Sequence, residues 1–528
     1  MLPTRRPQQI IRTGWPFNRF YFAAISLLTT CNSISDLFSG HFTNARGRTL
    51  TIKQIRLGLL AAAALLAALL PVVSTAADTA VDRESARLSQ GMAAAVAAAG
   101  FDRLVDYDQP LGNGKAKPAS FLPNVDLAVI ELTASGRVAG VANVLYDRDS
   151  PKGFRVDVDT ASLSTRGVQF SRWRQERWDT ACGWSTAPAT GDVLVQPAST
   201  AKQYMVAYPA SVLKVMVAYS ALRLVDQDKL GLDGALAFHD VDGVSCGAAP
   251  SNPTGAVPAP VANGLTDTVR GWLDKMITVS DNFATCVLLQ AIYEQGALDA
   301  ANQHFLDLGL GTLRMRPLLP QLGSGWLAGT MTMGALDTTK LLLLVAGSPG
   351  QLWTGPRGPV TSASGLGADS RQVLLRLLGK QSFNDVLNPV NLCGSSDAVQ
   401  GIPSTVPQRW VDAKSGNVVT YDGDLVIDFG YDTRPCQAAA EVDFAHKTGL
   451  TYNAGGDAGI VRVLPGQDGR WYLIAALTSV GNRFGDADWN KSKPNACEGS
   501  PFVCYPRAFG RLGGAVDALM KARPPSAR

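Results

Sequence analysis

The apolar positions change period along the chain, and the changes divide it. Leu57 to Leu70 contains only leucine, alanine and one glycine. Val81 to Ala99 is alanine-rich with a helical period and stops at Gly100, a residue suited to the position after a helix. Asp126 to Leu132 and Val138 to Tyr146 alternate about Ser135-Gly136, which predicts a β-hairpin. From Ser211 the period lengthens, and helices are expected from Ser211 to about Leu230, over Leu265 to Tyr293, Ala297 to Leu308, Leu336 to Ala346, Arg371 to Leu378 and Phe383 to Val390. From Asp443 the period returns to two, giving strands over Asp443 to Gly449, Ala458 to Leu464 and Trp471 to Val480, and Pro506 to Lys521 closes the chain as a helix.

That order predicts an α+β (mixed α/β) fold. Its antiparallel sheet is built from the N- and C-terminal segments and flanked by helices, with an all-helical part between them. The expected divisions are an N-terminal helix and loop at 78–124, an α/β part at about 125–230 and 441–528, a helical part at about 231–410 and an insertion at about 411–440. Asp147 to Pro197 is a further long segment, aromatic and basic through Trp173, Arg174, Trp178 and Trp184, and it reads as decoration packed on the sheet or as a flap over a substrate. Gly112-x-Gly114-Lys115 lacks the flanking residues of a phosphate loop, and His239, Asp240 and Asp242 on a Pro/Gly-rich loop read as a turn.

The apolar run Leu57 to Leu70 follows Arg48, Lys53 and Arg56 and precedes Pro71 and the small stretch Ser74-Thr75-Ala76-Ala77. This is the pattern of a secretory signal peptide cleaved near Ala76 or Ala77, and the run is shorter than the ~20 residues of a membrane-spanning helix. Residues 1–77 are therefore expected to be a leader, with the signal at about 48–77. The protein is expected to be exported to the periplasm or beyond, with no membrane span remaining. The leader also carries the charge. Without its eight basic residues and Asp36, the chain's 48 basic and 44 acidic side chains become 40 and 43, a net of −3, which removes the argument for nucleic-acid binding.

Beyond Cys31 the cysteines are Cys182, Cys246, Cys286, Cys393, Cys436, Cys497 and Cys504. Export permits disulfides, and an odd number leaves a thiol over. Cys286, among Val287, Leu288 and Leu289, is expected to be the free one, and Cys182–Cys246, Cys393–Cys436 and Cys497–Cys504 is one pairing of the rest. No Cys-x-x-Cys or His-x-His spacing occurs, so no metal and no cofactor are expected.

The chemistry centres on Tyr208 to Leu224, where Ser211 and Lys214 stand three residues apart at the head of an apolar helix. Positions i and i+3 share a helix face, so hydroxyl and amine can meet over the first turn, where free N–H groups favour a neutral amine and a developing oxyanion. A serine nucleophile with a lysine base is the chemistry this suits. Ser199-Thr200-Ala201-Lys202 has the same spacing, but Pro209 breaks any helix begun there.

Two further pieces follow in order, Ser280-Asp281-Asn282 and Lys447-Thr448-Gly449. With the trio Ser-x-x-Lys, Ser-Asp-Asn and Lys-Thr-Gly, the chain resembles the class A serine β-lactamases and their DD-peptidase relatives, the penicillin-recognising serine hydrolases. The resemblance extends through Tyr208 to Leu232, Leu265 to Leu289, Ala297 to Arg314, Thr330 to Leu344 and Ala445 to Val463. It implies the β-lactamase/transpeptidase-like fold over 125–528 and a small β-lactam or cell-wall peptide as substrate, acting as a monomer. By the same resemblance Ser211 is the acylated nucleophile, Lys214 its proton acceptor and Ser280 the relay to the leaving nitrogen. Asn282 holds the substrate amide, Lys447 and Thr448 bind its carboxylate, Gly449 lets a flat substrate approach, and the N–H groups of Ser211 and Leu450 form the oxyanion hole. Asp281 is expected to hold the loop. His446, on the opposite face of its strand from Lys447, is not expected to be catalytic.

One departure matters. Class A enzymes keep a glutamate between the segments that here are bounded by Asp307 and Asp337, and it activates the water that releases the acyl group. This chain has no carboxylate and no asparagine between those two residues. The expected activity is therefore a serine hydrolase acting on a β-lactam or related amide with impaired deacylation. The alternatives are a DD-peptidase or penicillin-binding enzyme, or an idle cell-envelope binding module.

Overall fold

The computed structural model describes residues 79–106, 117–174, 178–179, 183–184, 191–238, 264–316, 329–394, 399–422, 425–467, 469–485 and 503–523, all within one compact unit, Ala77–Arg528. In chain order the labelled elements are helix α1 (Ala80–Ala98), strands β1 (Val125–Leu132), β2 (Val138–Asp147), β3 (Ser150–Arg155), β4 (Val168–Ser171), β5 (Val193–Val195) and β6 (Lys202–Met205), and helices α2 (Leu213–Asp226), α3 (Val269–Thr278), α4 (Asn282–Glu294) and α5 (Leu298–Asp307). Then come β7 (Arg314–Met315), β8 (Met331–Thr332), α6 (Ala335–Ala346), α7 (Ala368–Leu378), β9 (Asn417–Asp422), β10 (Leu425–Asp432), α8 (Arg434–Ala438), β11 (Val442–Leu450), β12 (Gly455–Val463), β13 (Trp471–Thr478) and α9 (Tyr505–Ala522).

One antiparallel sheet in the order β11-β12-β13-β1-β2-β3 organises the molecule. Its halves come from the two ends of the described chain and join where Trp471 to Thr478 pairs with Leu132 to Val125. Both faces are covered. Ala128, Ile130 and Leu473 pack toward α2, α3, α4, α6 and α7, while Leu127, Val129 and Ile474 pack toward α1 and α9. With no wet face, every position of β1 is buried, including two acids, and each has a partner. Asp126 accepts from the Ala335 N–H at the start of α6, and Glu131 accepts from Arg523 at 2.7 Å.

Helix ends depart from the pattern where side chains compete for the backbone. The Ser211 helix stops at Asp226 rather than near Leu230, because Asp228 takes a left-handed φ of 57° and the N–H groups of Lys229 and Leu230 turn back to the Leu224 carbonyl. Leu265 to Tyr293 is two helices, interrupted at Val279 to Asp281, with Thr268 capping α3 and Asp281 capping α4. Phe383 to Pro389 is not helical, and only a 3-10 turn begins at Val390. Asn384 and Asn388 there bond to each other and to Gln381, Ser382 and Ser404, contacts that compete with the backbone ladder.

The 147–197 segment adds β3 to the sheet edge and contributes β4 and β5 to a small sheet completed by β6, whose core shares Leu145 with β2. It also abuts residues 311 and 329: a Cβ on Gly329 would lie 2.4 Å from the Trp173 carbonyl oxygen, and one on Gly311 would lie 2.9 Å from Val195. The described residues of the segment therefore pack on the sheet edge and on the body. Ser199 is exposed, and Lys202 pairs with the buried Asp147 at 2.7 Å, so the second Ser-x-x-Lys is structural. The leader, residues 107–116 and the turn at 239–242 lie outside the described residues.

Cys393 and Cys436 are bonded, as expected, and the bond ties the hairpin β9–β10 and α8 to the segment before them. Cys286 corrects the expectation: it is disulfide-bonded, as is Cys504, each to a partner outside the described residues. Burial among Val287, Leu288 and Leu289 gave no sign of this, since a disulfide sulfur is as compatible with an apolar site as a thiol is. Replacing both Cys393 and Cys436 with serine is expected to lower unfolding stability by about 2–4 kcal/mol, measured by chemical denaturation. An unchanged midpoint would show that the 43-residue separation between them is closed by packing alone.

Candidate active site

Ser211 lies on a single 3-10 turn, Ala210–Val212, that runs directly into α2. The residue before it, Ala210, has a φ of 47°, a left-handed conformation that costs a non-glycine residue about 1–3 kcal/mol. The turn lifts Ser211 to a half-buried position, while Lys214, one turn on, has no exposed surface. Its amine lies 3.0 Å from Ser211 Oγ, 3.0 Å from Ser280 Oγ and 2.7 Å from Asn282 Oδ1, with a short contact to the Ser280 carbonyl oxygen.

Two of those four neighbours are carbonyl oxygens, which only accept. In its neutral form the amine would spend its two hydrogens on the Ser280 carbonyl and Asn282 and turn its lone pair to the two hydroxyls. Burial drives Lys214 toward that neutral form: desolvation, then the nearby Lys447 charge, hold its pKa well below the usual lysine range against an opposing pull from Asp281.

The Ser280 loop is strained in the same way, with Ser280 at a φ of 60°. Two anchors hold it. Asp281 accepts from the Ala284 N–H and so starts α4, and Val279 packs into a small core of Val390, Val406, Trp410 and Val418. Asp281 thus has the loop-holding part expected of it.

The third piece is the outer edge of β11. Val442 donates to the Pro403 carbonyl and accepts from Thr405 on that edge, so residues of the same parity, including Thr448 and Leu450, turn their backbone groups outward. Lys447 has no exposed surface, and burial pushes its pKa down to about 7, opposed by Asp457 and Asp385. Its amine donates to the Thr448 carbonyl at 2.8 Å. Gly449 has a further reason to be glycine: a Cβ there would lie 2.6 Å from the Ser211 nitrogen and 2.7 Å from that of Val212, so the strand can touch the Ser211 turn only without one. His446 faces away, against Asp457 and Asn384, in keeping with strand alternation.

All eight candidate residues, Ser211, Lys214, Ser280, Asn282, Lys447, Thr448, Gly449 and Leu450, therefore belong to one neighbourhood formed by the Ser211 turn, the Ser280 loop and β11. Among the described residues no carboxylate hydrogen-bonds Ser211 or Lys214. Sequence reasoning missed the segment 381–391 and Asp457. Their signals were a cluster of asparagines and one acid inside a glycine-rich apolar strand.

The fold and the site bring a half-buried serine hydroxyl against a fully buried lysine whose pKa burial holds well below the ordinary range. A model of the beta-lactamase enzyme family matches residues 198–492, more than half the chain, and the chain belongs to that family. No curated relative matches it. Solved structures similar to it include PBP-A, at 16% identity over 83% of this chain and 95% of that one with a TM-score of 0.38. Others are a class A beta-lactamase from Bacteroides cellulosilyticus, at 14% over 82% and 99% with a TM-score of 0.38, and a beta-lactamase from Chitinophaga pinensis, at 19% over 60% and 85% with a TM-score of 0.34.

Proposed function

We propose that the chain is an exported serine hydrolase that opens a β-lactam, or cleaves a related amide, through an ester on Ser211. Lys214 takes the Ser211 proton as Oγ attacks the carbonyl carbon, and Ser280 relays a proton to the departing nitrogen. Asn282 holds the substrate amide, Lys447 and Thr448 its carboxylate. The N–H groups of Ser211 and Leu450 receive the oxyanion, a device worth about 3–4 kcal/mol per donor elsewhere. The observation that carries this reading is the convergence of Ser211 Oγ and Ser280 Oγ, each at 3.0 Å, on the amine of a fully buried lysine whose pKa burial lowers. Export rests on the basic, apolar and small-residue order of 48–77.

Release is the weak step. A positioned base contributes about 10²–10⁴ in rate, and no acid stands between Asp307 and Asp337 to supply one. That absence favours a second reading, a DD-peptidase or penicillin-binding enzyme in which the β-lactam ester persists. Intact-mass spectra recorded from seconds to hours after mixing with benzylpenicillin test both. The expected result is fast gain of the penicillin mass at Ser211 and slow loss. Fast gain with fast loss would mean an efficient lactamase with a base from elsewhere. A folded protein that never gains the mass would leave the idle envelope module.

A further inference from the structure

His446 is buried on the face of β11 turned away from Ser211, yet both its ring nitrogens are engaged. Nδ1 lies 2.8 Å from Asp457 Oδ1 and Nε2 lies 3.1 Å from Asn384 Oδ1, while the ring stacks on Phe444 at 4.2 Å. Space for it exists because its cross-strand neighbour is Gly459, where a Cβ would lie 2.4 Å from that of His446. The amide of Asn384 has one orientation: its nitrogen faces the carbonyls of Gln381 and Ser382, and its oxygen accepts from Asn388. His446 Nε2 must therefore donate to it, and because the Asp457 carboxylate also only accepts, both bonds together belong to the doubly protonated ring. Asp457 in turn accepts from the Leu387 N–H at 3.2 Å.

The same segment is tied at its other end to α3, next to the Ser280 loop. Gln381 donates to the Ile277 carbonyl, and the N–H and hydroxyl of Ser382 both donate to the Thr278 carbonyl, two residues before Ser280. Residues 381–388 thus form a strut with one end on the last turn of α3 and the other on the back of β11.

We propose that His446 is a positioning residue: its two hydrogen bonds, to Asp457 and Asn384, lock this strut and set the spacing between the Ser280 loop and the Lys447 strand. The inference deepens the acyl-serine reading and rests on it for its catalytic consequence. His446→Phe keeps the stack and removes both bonds. Misplacement of reacting groups by about 1 Å costs about 10²-fold. The rate constant for Ser211 acylation by benzylpenicillin is accordingly expected to fall about 10- to 100-fold, measured well below the variant's melting temperature. In a Ser280→Ala background the same change is expected to cost much less, because the group being positioned is gone. An equal loss in both backgrounds, or none in either, overturns the inference. Amide hydrogen exchange of the full-length protein keeps the test independent of catalysis. In His446→Phe, exchange is expected to accelerate over both 277–285 and 381–391, and acceleration confined to β11 would overturn the strut even if the wild-type protein proved inert to penicillin. An inert wild type with coupled exchange would instead sink the acyl-serine reading and leave the strut standing.

Discussion

Replacing Lys214 with methionine is expected to slow acylation of Ser211 by about 10²–10⁴-fold, the range a positioned base contributes. Methionine preserves length and apolar burial, so the loss isolates the lone pair from the packing around it. The pH dependence carries the same argument further. Lys214 must be neutral to accept a proton, so acylation rises as pH passes through its pKa, which burial and the Lys447 charge set well below the ordinary lysine value. Lys447 must be charged to bind a carboxylate, and its pKa of about 7 means that the charge is lost as pH rises through that value. For benzylpenicillin, kcat/KM for acylation, which reports the free enzyme, is therefore expected to decline above about pH 7. An uncharged ester that acylates Ser211 has no carboxylate to lose and is expected to lack that decline. A decline shared by both substrates would remove Lys447 as its cause, and an unimpaired Lys214→Met would remove the amine as base.

Gly449→Ala is expected to reduce acylation about 100-fold while leaving most of the fold in place. The added methyl would meet the backbone nitrogens of Ser211 and Val212, atoms with no rotamer to escape into, so the nucleophile's turn must move away from β11. The turn already contains one left-handed non-glycine residue at Ala210, which limits the directions in which it can relax. A substrate-contact role for Gly449 gives a different outcome: bulky substrates would lose rate and small ones would not. Acylation rates for a small and a bulky β-lactam separate the two, and the contact with the Ser211 turn calls for loss with both.

Much of the site was legible in the chain because its parts are short and local. A hydroxyl and an amine at i and i+3, an aspartate ready to cap the helix after Ser280, and a Lys-Thr-Gly in a strand of period two each declare a local geometry. The faces of β11 followed from alternation alone, which separated His446 from Lys447 correctly. Cys286 was misread because burial says nothing of which sulfur lies across from it. Phe383 to Val390 was misread because Asn384 and Asn388 bond across their own turn as well as to Ser404 and His446, side-chain bonds that compete with the helix ladder and that no period records.

The Ser-x-x-Lys, Ser-Asp-Asn and Lys-Thr-Gly pieces, and the missing acid between Asp307 and Asp337, were determined by sequence alone, since they are matters of identity and spacing. Only the tertiary structure decided that Lys214 meets two carbonyl oxygens and two hydroxyls, that Gly449 packs on the Ser211 turn, and that residues 381–388 reach from α3 to the back of β11. The physical reason is that protonation state, close approach and spacing depend on how atoms from remote segments desolvate, donate to and exclude one another, and those quantities exist only once the segments are packed together.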